Sequence, residues 1–363
     1  MDHSIKFTVD PELAFRSSDA IDAAQRELLR RHVLYLAERS PWYRRLFAEN
    51  GIDPAAIATV GDLATIPFTT KADLEGEGGA FLCAAPDDIV DLCLTSGTTG
   101  QPVAMLQTRL DLERLGYNEE QAFRAAGITA ADRVLIAAAV DRCFMAGLAY
   151  FLGLTRLGAM AIRGGSGSLP VLKELVRRHR PTVIVGVPSF LAALAVGLAE
   201  DGVEPASTGV KKLVCIGEPI RMPDLSLSAL GERLVSLWHA EVFGTYAATE
   251  IATAFCDCTE GRGGHIPPDM ILVEIVDEEG RPMPSGEPGE VVATPLQVTG
   301  MPLLRLRTGD IATLHKGPCA CGRNSDRLGP VVGRKSQMLK YLGTTVYPPA
   351  IFSVLQEMEG IEG

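Results

Sequence analysis

The chain has 363 residues, 47% of them hydrophobic and 22% charged, with a formal net charge of −11. This length allows a sizeable core in one large or two medium domains. The acidic balance argues against nonspecific binding to nucleic acid or to an anionic membrane, which needs basic surface, so any anionic ligand must be held by a local site.

The N-terminal MDHSIKFTVD has no basic region and no apolar run, and no secretory leader is read there. The most apolar stretch, TVIVGVPSFLAALAVGLAE, is divided by Pro188 and Ser189 into pieces too short to cross a bilayer. A cytoplasmic protein is expected, in which the eight cysteines are thiols or metal ligands and not disulfides.

The first strong pattern is SSDAIDAAQRELLRRHVLYLAERS. Ile21, Leu28, Leu29, Val33 and Leu36 fall near helical spacing, with Ser17, Ser18 or Asp19 as the cap. Pro41 is expected to stop this helix. IVDLCLT (89–95) reads as a strand and VAML (103–106) as another. Between them lies LTSGTTGQP, in which Thr95, Ser96, Thr98 and Thr99 carry hydroxyls and Gly97 and Gly100 free the backbone. It has no Walker A lysine and opens no helix. On composition alone two readings stand. One is a polar glycine-rich hairpin. The other is an anion nest whose N–H and hydroxyl groups converge on phosphate oxygens.

From Asp132 the chain alternates. RVLIAAA, MAIRG, TVIVGV and KKLVCIGEP read as strands, and GLAYFLGLTRLGA, SLPVLKELVRRHR and SFLAALAVGLAED as helices. Such alternation predicts a mostly parallel sheet covered by helices. Beyond Gly261, ILVEIVDEEGRPMPSGEPGEVVATPL reads as short strands broken by Gly and Pro, a β-rich subdomain.

Two C-x-C pairs stand out, Cys256 with Cys258 and Cys319 with Cys321, and His265 follows Cys258 by seven residues. Thiolate and imidazole donors favour a tetrahedral, structural Zn²⁺. Cys83, Cys93, Cys143 and Cys215 lie in apolar runs and read as core residues.

GTYAATE (244–250), RTGD (307–310) and GRKSQMLK (333–340) follow the loop in order. Together they resemble the adenylate-forming superfamily of acyl-CoA synthetases. MPLLRLRTGDIATL, GPCACGR and GTTVYP bring the match closer to its phenylacetate-CoA ligase-like branch. The resemblance runs from about residue 10 to the end. It implies an α/β fold: a large N-terminal adenylate-forming domain (1–334) with helix-covered parallel sheets and the β-rich subdomain, then a hinge and the start of a truncated C-terminal domain (335–363). It also implies the reaction. ATP and a carboxylic acid give acyl-AMP and pyrophosphate, and coenzyme A then takes the acyl group.

By the same resemblance, Thr95, Ser96, Gly97, Thr98, Thr99 and Gly100 would grip the β- and γ-phosphates. Thr249 would meet the α-phosphate and Glu250 a Mg²⁺. Tyr246 would lie on one side of adenine, with Gly217, Glu218 and Pro219 on the other. Asp310 would accept the ribose hydroxyls and Arg334 would bind near ribose and phosphate. Lys340 would serve the thiol-transfer half-reaction. The branch's metal set maps onto Cys258, His265, Cys319 and Cys321, with Cys256 as a further candidate that could replace His265. Phe144, Met145, Ala146 and Gly147 would line an apolar acyl slot that suits an aryl acid.

The sequence departs from the pattern in places. Gln101 stands where the loop commonly has Lys, and Ser336 where the hinge usually has Asp. The family's late C-terminal lysine has no counterpart before Gly363. Two alternatives therefore stay open: an adenylating enzyme whose acceptor is a carrier protein, and a degenerate nucleotide or acyl-adenylate binder. Neither nucleic acid nor membrane is an expected partner, and a homodimer is left open.

Overall fold

A computed structural model describes residues 5–95, 102–337, 339–341 and 344–346, the last two segments as backbone only. Helix α1 (Ser18–Arg39) begins where the sequence places it, with the Ser17 side chain accepting from the Ala20 N–H. The helix ends before Pro41 as expected, and Pro41 has a second role. It opens a second helix, α2 (Pro41–Glu49), with Ser40 as its cap. Proline suits a first helical position because its missing N–H has no partner there anyway. Helix α3 (Lys71–Glu77) starts at a reciprocal cap between Thr70 and Asp73.

Strands β1 (Ile89–Leu94) and β2 (Ala104–Thr108) pair antiparallel, Leu94 opposite Ala104, so the hydroxyl-rich segment does join two strands. Its residues Ser96, Gly97, Thr98, Thr99, Gly100 and Gln101 lie outside the described residues. Helix α4 (Arg109–Ala125) follows directly. Its apolar spacing does not announce it, because its buried face carries Asp111, Arg114, Asn118 and Glu119.

The alternating region folds as expected: β3 (Arg133–Ala137), α5 (Met145–Leu157), β4 (Met160–Arg163), α6 (Leu169–His179), β5 (Val183–Gly186), α7 (Pro188–Glu200), β6 (Lys212–Ile216), α8 (Ala229–Trp238) and β7 (Glu241–Ala248). Strands β4, β3, β5, β6 and β7 lie side by side in that order, all parallel. Alternate strand residues feed opposite faces. Leu135, Ala137 and Ile184 pack under α6, α7 and α8, while Val134, Ile136 and Val185 pack under α4 and α5. This is the period-2 logic of a strand buried on both sides. The connection from β3 runs to one side and the chain returns to place β5 on the other. The crevice beyond the carboxyl ends of these two strands is thus a topological switch point.

After β7 the pairing turns antiparallel through β8 (Thr253–Asp257), β9 (Gly264–His265), β10 (Ile271–Val276), β11 (Pro288–Pro295), β12 (Leu306–His315), β13 (Arg327–Leu328) and β14 (Gly333–Arg334). The β-rich region expected after Gly261 is therefore continuous with the parallel sheet. The order β10–β11–β12–β13–β9–β8–β7 joins the two halves through β9 and β13, which are two residues each. A core of α1, α2 and β10–β12 residues, including Leu36, Tyr43, Ile271, Val291 and Leu306, backs this half. A hairpin of β15 (Leu339–Tyr341) and β16 (Thr344–Val346) ends the described chain.

Candidate active site

A cavity of about 1170 Å³ opens at the switch point. Ala137–Ala139 at the end of β3, Val187 after β5 and Gly217 after β6 form its floor, and Thr245, Thr249, Glu250, Asp310 and Arg334 form a polar end; Tyr246, whose ring packs on Phe255, is not among the lining residues. Gly217 has φ +78°, a left-handed backbone that favours glycine and lets the chain turn directly after β6.

At the polar end, β12 and β14 put Asp310 directly across from Arg334. The Arg334 Nε lies 3.2 Å from Asp310 Oδ1, and the Tyr246 hydroxyl donates to Asp310 Oδ2 at 2.9 Å. Residues far apart in the chain thus meet on one carboxylate. Burial pushes Asp310 above the usual carboxylate range, opposed by Arg334 and Tyr246. Burial, with Asp310 beside it, also drives the Tyr246 phenol well up. The pair is a fixed, neutral donor on a carboxylate that a hydroxylated ligand would meet.

Thr249 and Glu250 open a short 3-10 turn at the end of β7 and face the same cavity. The Glu250 carboxylate lies 3.8 Å from Lys71 Nζ. Lys71 carries no sequence signal. It is delivered by the first turn of α3, whose entry is pinned to β12 through Thr69: the Thr69 N–H donates to the Arg305 carbonyl and the Arg307 N–H to the Thr69 carbonyl. Lys335, in the turn after β14, donates to Glu290 at 3.1 Å, and Arg307 pairs with the same carboxylate at 3.6 Å.

The remaining expectations divide. Thr95 is buried at the cavity wall, its hydroxyl accepting from the Val103 N–H at 2.9 Å. Gly217 lines the cavity, but its two successors do not. Glu218 turns to the N-terminus of α7 and accepts from the Ser189 N–H and hydroxyl, and Pro219 is exposed. The Lys340 side chain lies outside the described residues. Phe144, Met145 and Ala146 line the apolar end. Gly147 contributes close packing instead: a Cβ there would sit 1.9 Å from the Ala139 carbonyl oxygen.

Cys83, Cys93 and Cys215 are buried as expected, but Cys143 is exposed, on the turn before α5, and is not a core residue. Donor atoms of Cys258, His265, Cys319 and Cys321 all lie within 4.8 Å of one another. Cys258 Sγ and Cys319 Sγ are 3.7 Å apart, and Cys321 Sγ and His265 Nε2 3.4 Å. Metal–sulfur bonds of about 2.3 Å in a tetrahedron give ligand edges of about 3.8 Å, so the four donors fit a Zn²⁺. The other ring nitrogen of His265 is held by the Ser325 hydroxyl at 3.1 Å, the outer contact that orients a ligating imidazole. Burial, with Arg323 and Arg327, holds this imidazole down at about 4 and therefore neutral. Cys256 does not join the set. It pairs in register with His265, yet its thiol accepts from the Thr245 hydroxyl and packs with Ile216 and Phe243 in the core. It is a correction to the C-x-C pattern: β8 ends at Asp257, so the two cysteines do not share a strand face. No described helix is long and apolar enough to cross a membrane.

Comparison with known proteins agrees with this geometry. Residues 18–300 match the family model described as AMP-binding enzyme. A phenylacetate-coenzyme A ligase of Thermus thermophilus is 34% identical over 353 residues, 95% of this chain and 77% of that protein. One from Pseudomonas putida is 30% identical, over 92% and 75% of the two chains. A crystal structure of 2-hydroxyisobutyryl-CoA ligase with a bound acyl-adenylate superposes with a TM-score of 0.88 at 25% identity, covering 99% of this chain and 78% of that one. The matched model spans most of the chain, and the chain belongs to the AMP-binding enzyme family, within its phenylacetate-CoA ligase-like branch, as an AMP-forming acyl-CoA ligase.

Proposed function

We propose that the protein activates an aryl carboxylic acid at the expense of ATP and passes it to coenzyme A. The observation that carries this reading is one cavity whose polar end holds Asp310, Arg334, Thr249 and Glu250, with Tyr246 hydrogen-bonded to Asp310, and whose other end is the apolar slot of Phe144, Met145 and Ala146. The named activities of the two ligase relatives support the aryl acid and the thiol acceptor.

In this reading Asp310 accepts the ribose hydroxyls, Tyr246 lies against adenine, and Arg334 stays near ribose and phosphate. Gly217 leaves room for the purine. Thr95 and the segment after it meet the outer phosphates. The acid's carboxylate oxygen attacks the α-phosphorus, the bond to the bridging oxygen breaks, and pyrophosphate leaves. The thiol sulfur of coenzyme A then attacks the acyl carbon, its proton is lost, and AMP leaves with the phosphate-side oxygen. Glu250 is the carboxylate that would hold a Mg²⁺, which is commonly bound by one or two carboxylates plus substrate phosphates and offsets their charge. Lys71, paired with Glu250, keeps a cation beside the phosphates. Lys340 is assigned to thiol transfer, 335–363 to the hinge and the start of a C-terminal domain, and 1–334 to the adenylate-forming domain. Cys258, His265, Cys319 and Cys321 are assigned to a structural Zn²⁺.

The test is ATP–pyrophosphate exchange with a panel of aryl and short-chain acids. Exchange that requires an aryl acid, and that Glu250→Gln removes, supports the reading. Exchange independent of acid, or untouched by Glu250→Gln, overturns it. Offering coenzyme A or a phosphopantetheinyl carrier protein after adenylation identifies the acceptor.

A further inference from the structure

The buried face of α4 is unusually polar, and nearly every group on it is accounted for. Asp111 accepts from the N–H groups of Thr108, Thr299 and Gly300. Arg114 donates to the carbonyls of Leu296, Ala252 and Met270 and to the Thr253 hydroxyl. The Tyr117 hydroxyl donates to Asp269, and Asn118 bridges to the N–H and carbonyl of Ala254. Glu120, on the other side of the helix, pairs with Arg124 and Arg156.

Glu119 is the exception. It is 4% exposed, has no hydrogen-bond or ion-pair partner among the described residues, and what surface it keeps lines the cavity. Burying an unpaired carboxyl is costly, and native structures seldom tolerate it without a ligand or functional reason. The side chain has no retreat. α4 and α5 cross in close contact here, and Gly153 leaves no spare volume: a Cβ at Gly153 would lie 2.4 Å from Glu119 Cβ. Around the carboxyl, the apolar end of the cavity is walled by Leu115, Met145, Ala149 and Tyr150. The Tyr150 hydroxyl also makes no hydrogen bond among the described residues. Glu119 and Tyr150 are thus two polar groups without a hydrogen-bond partner among the described residues in a largely apolar part of the cavity wall.

We propose that Glu119 is a specificity-determining residue of the acyl slot, recognising a hydrogen-bond-donating substituent, hydroxyl or amino, that the acid carries away from its carboxyl group. The inference rests on the reading of this cavity as an acyl site and deepens it. An unsubstituted acid would leave Glu119 buried without a partner; a substituted one supplies the missing bond. A site built to hydrogen-bond a substrate group rejects the analogue lacking it, because the site's own polar group is then stranded.

The experiment measures kcat and KM for ATP–pyrophosphate exchange with phenylacetic, 4-hydroxyphenylacetic and 4-aminophenylacetic acids. It uses the full chain, as wild type, Glu119→Gln and Glu119→Val, with thermal unfolding as a check on folding. Wild type is expected to prefer at least one substituted acid by about 100-fold in kcat/KM. Glu119→Val should reverse that order, favouring phenylacetic acid over both substituted acids in kcat/KM. Should the valine variant not fold, Glu119→Gln still decides: its amide keeps one acceptor oxygen in place of the carboxyl, so the preference for the substituted acids should weaken without reversing. Equal use of the three acids by wild type, or a preference unchanged in both variants, overturns the assignment of Glu119 and leaves the aryl-acid reading standing. Absence of exchange with all three, in a chain that still binds ATP, overturns both.

Discussion

The two ends of the cavity satisfy their charges in opposite ways. At the nucleotide end each acidic group already has a partner from the protein: Asp310 with Tyr246 and Arg334, Glu250 with Lys71, Glu290 with Arg307 and Lys335. At the acyl end one carboxyl, Glu119, has none. On the proposed reading, the first end is preorganised for a ligand of constant structure, and the second is completed only by the substrate, so that selectivity would be concentrated there.

Four measurements would break or sharpen this contrast. The largest effect is expected from Glu250→Gln, which should lower kcat for acid-dependent exchange by about 10²–10³-fold and leave the KM for acid little changed. If the acid KM moves instead, the two ends are not separable. Asp310→Ala removes the acceptor shared by Tyr246 and Arg334, and should raise the KM for ATP by about 10–100-fold, read from initial rates at saturating acid. Cys319→Ser lies outside both ends. It should abolish stoichiometric zinc by elemental analysis and lower the unfolding midpoint by more than about 5 °C, moving both ends only through stability. Less than half an equivalent of zinc in unchelated wild-type protein would remove that assignment.

The smallest effect concerns pH. Burial raises Glu119 from 4.5 to about 8. The unfolded chain then releases this proton near pH 4.5 and the folded chain only near pH 8. The folded state is therefore favoured below 4.5 and progressively penalised as pH rises through that window. The groups facing Glu119 are Tyr150 on α5 and Cys256 on β8, and burial holds both neutral across it. Glu119→Gln is expected to match wild type in melting temperature at pH 4.5 and to exceed it increasingly towards pH 8.5. A constant difference across that range would mean that the carboxyl is not held neutral.

How much of this was legible in the sequence follows the same divide. The alternation from Asp132 shows because strands buried on both faces are continuously apolar, and the helices between them carry clean stripes. Tyr246, Asp310 and Arg334 are found through short motifs whose order is fixed by the strands that bring them together. Helix α4 escapes because a helix whose inner face holds Asp111, Arg114, Asn118 and Glu119 reads as polar all round. Its partners are loop carbonyls and amides, which leave no trace in a hydropathy pattern. Lys71 escapes for another reason: its place depends on a backbone bridge between Thr69 and β12, not on its neighbours in sequence. Cys256 misleads because spacing alone does not reveal where a strand ends.

The seam between the two halves of the sheet carries a further consequence. The two-residue strands β9 and β13 contribute few ladder bonds, yet the strand pairing that links the parallel half to β12 passes through them. The thiols and imidazole cluster at that narrow waist, one from the chain leaving β8, one from β9 and two from the turn entering β13. Tyr246 belongs to one side of the waist and Asp310 to the other, so the 2.9 Å contact between them is a gauge of how rigidly the halves are riveted. On the proposed reading, anything that loosens this waist should be felt first as slack in the grip on ribose, well before the molecule melts.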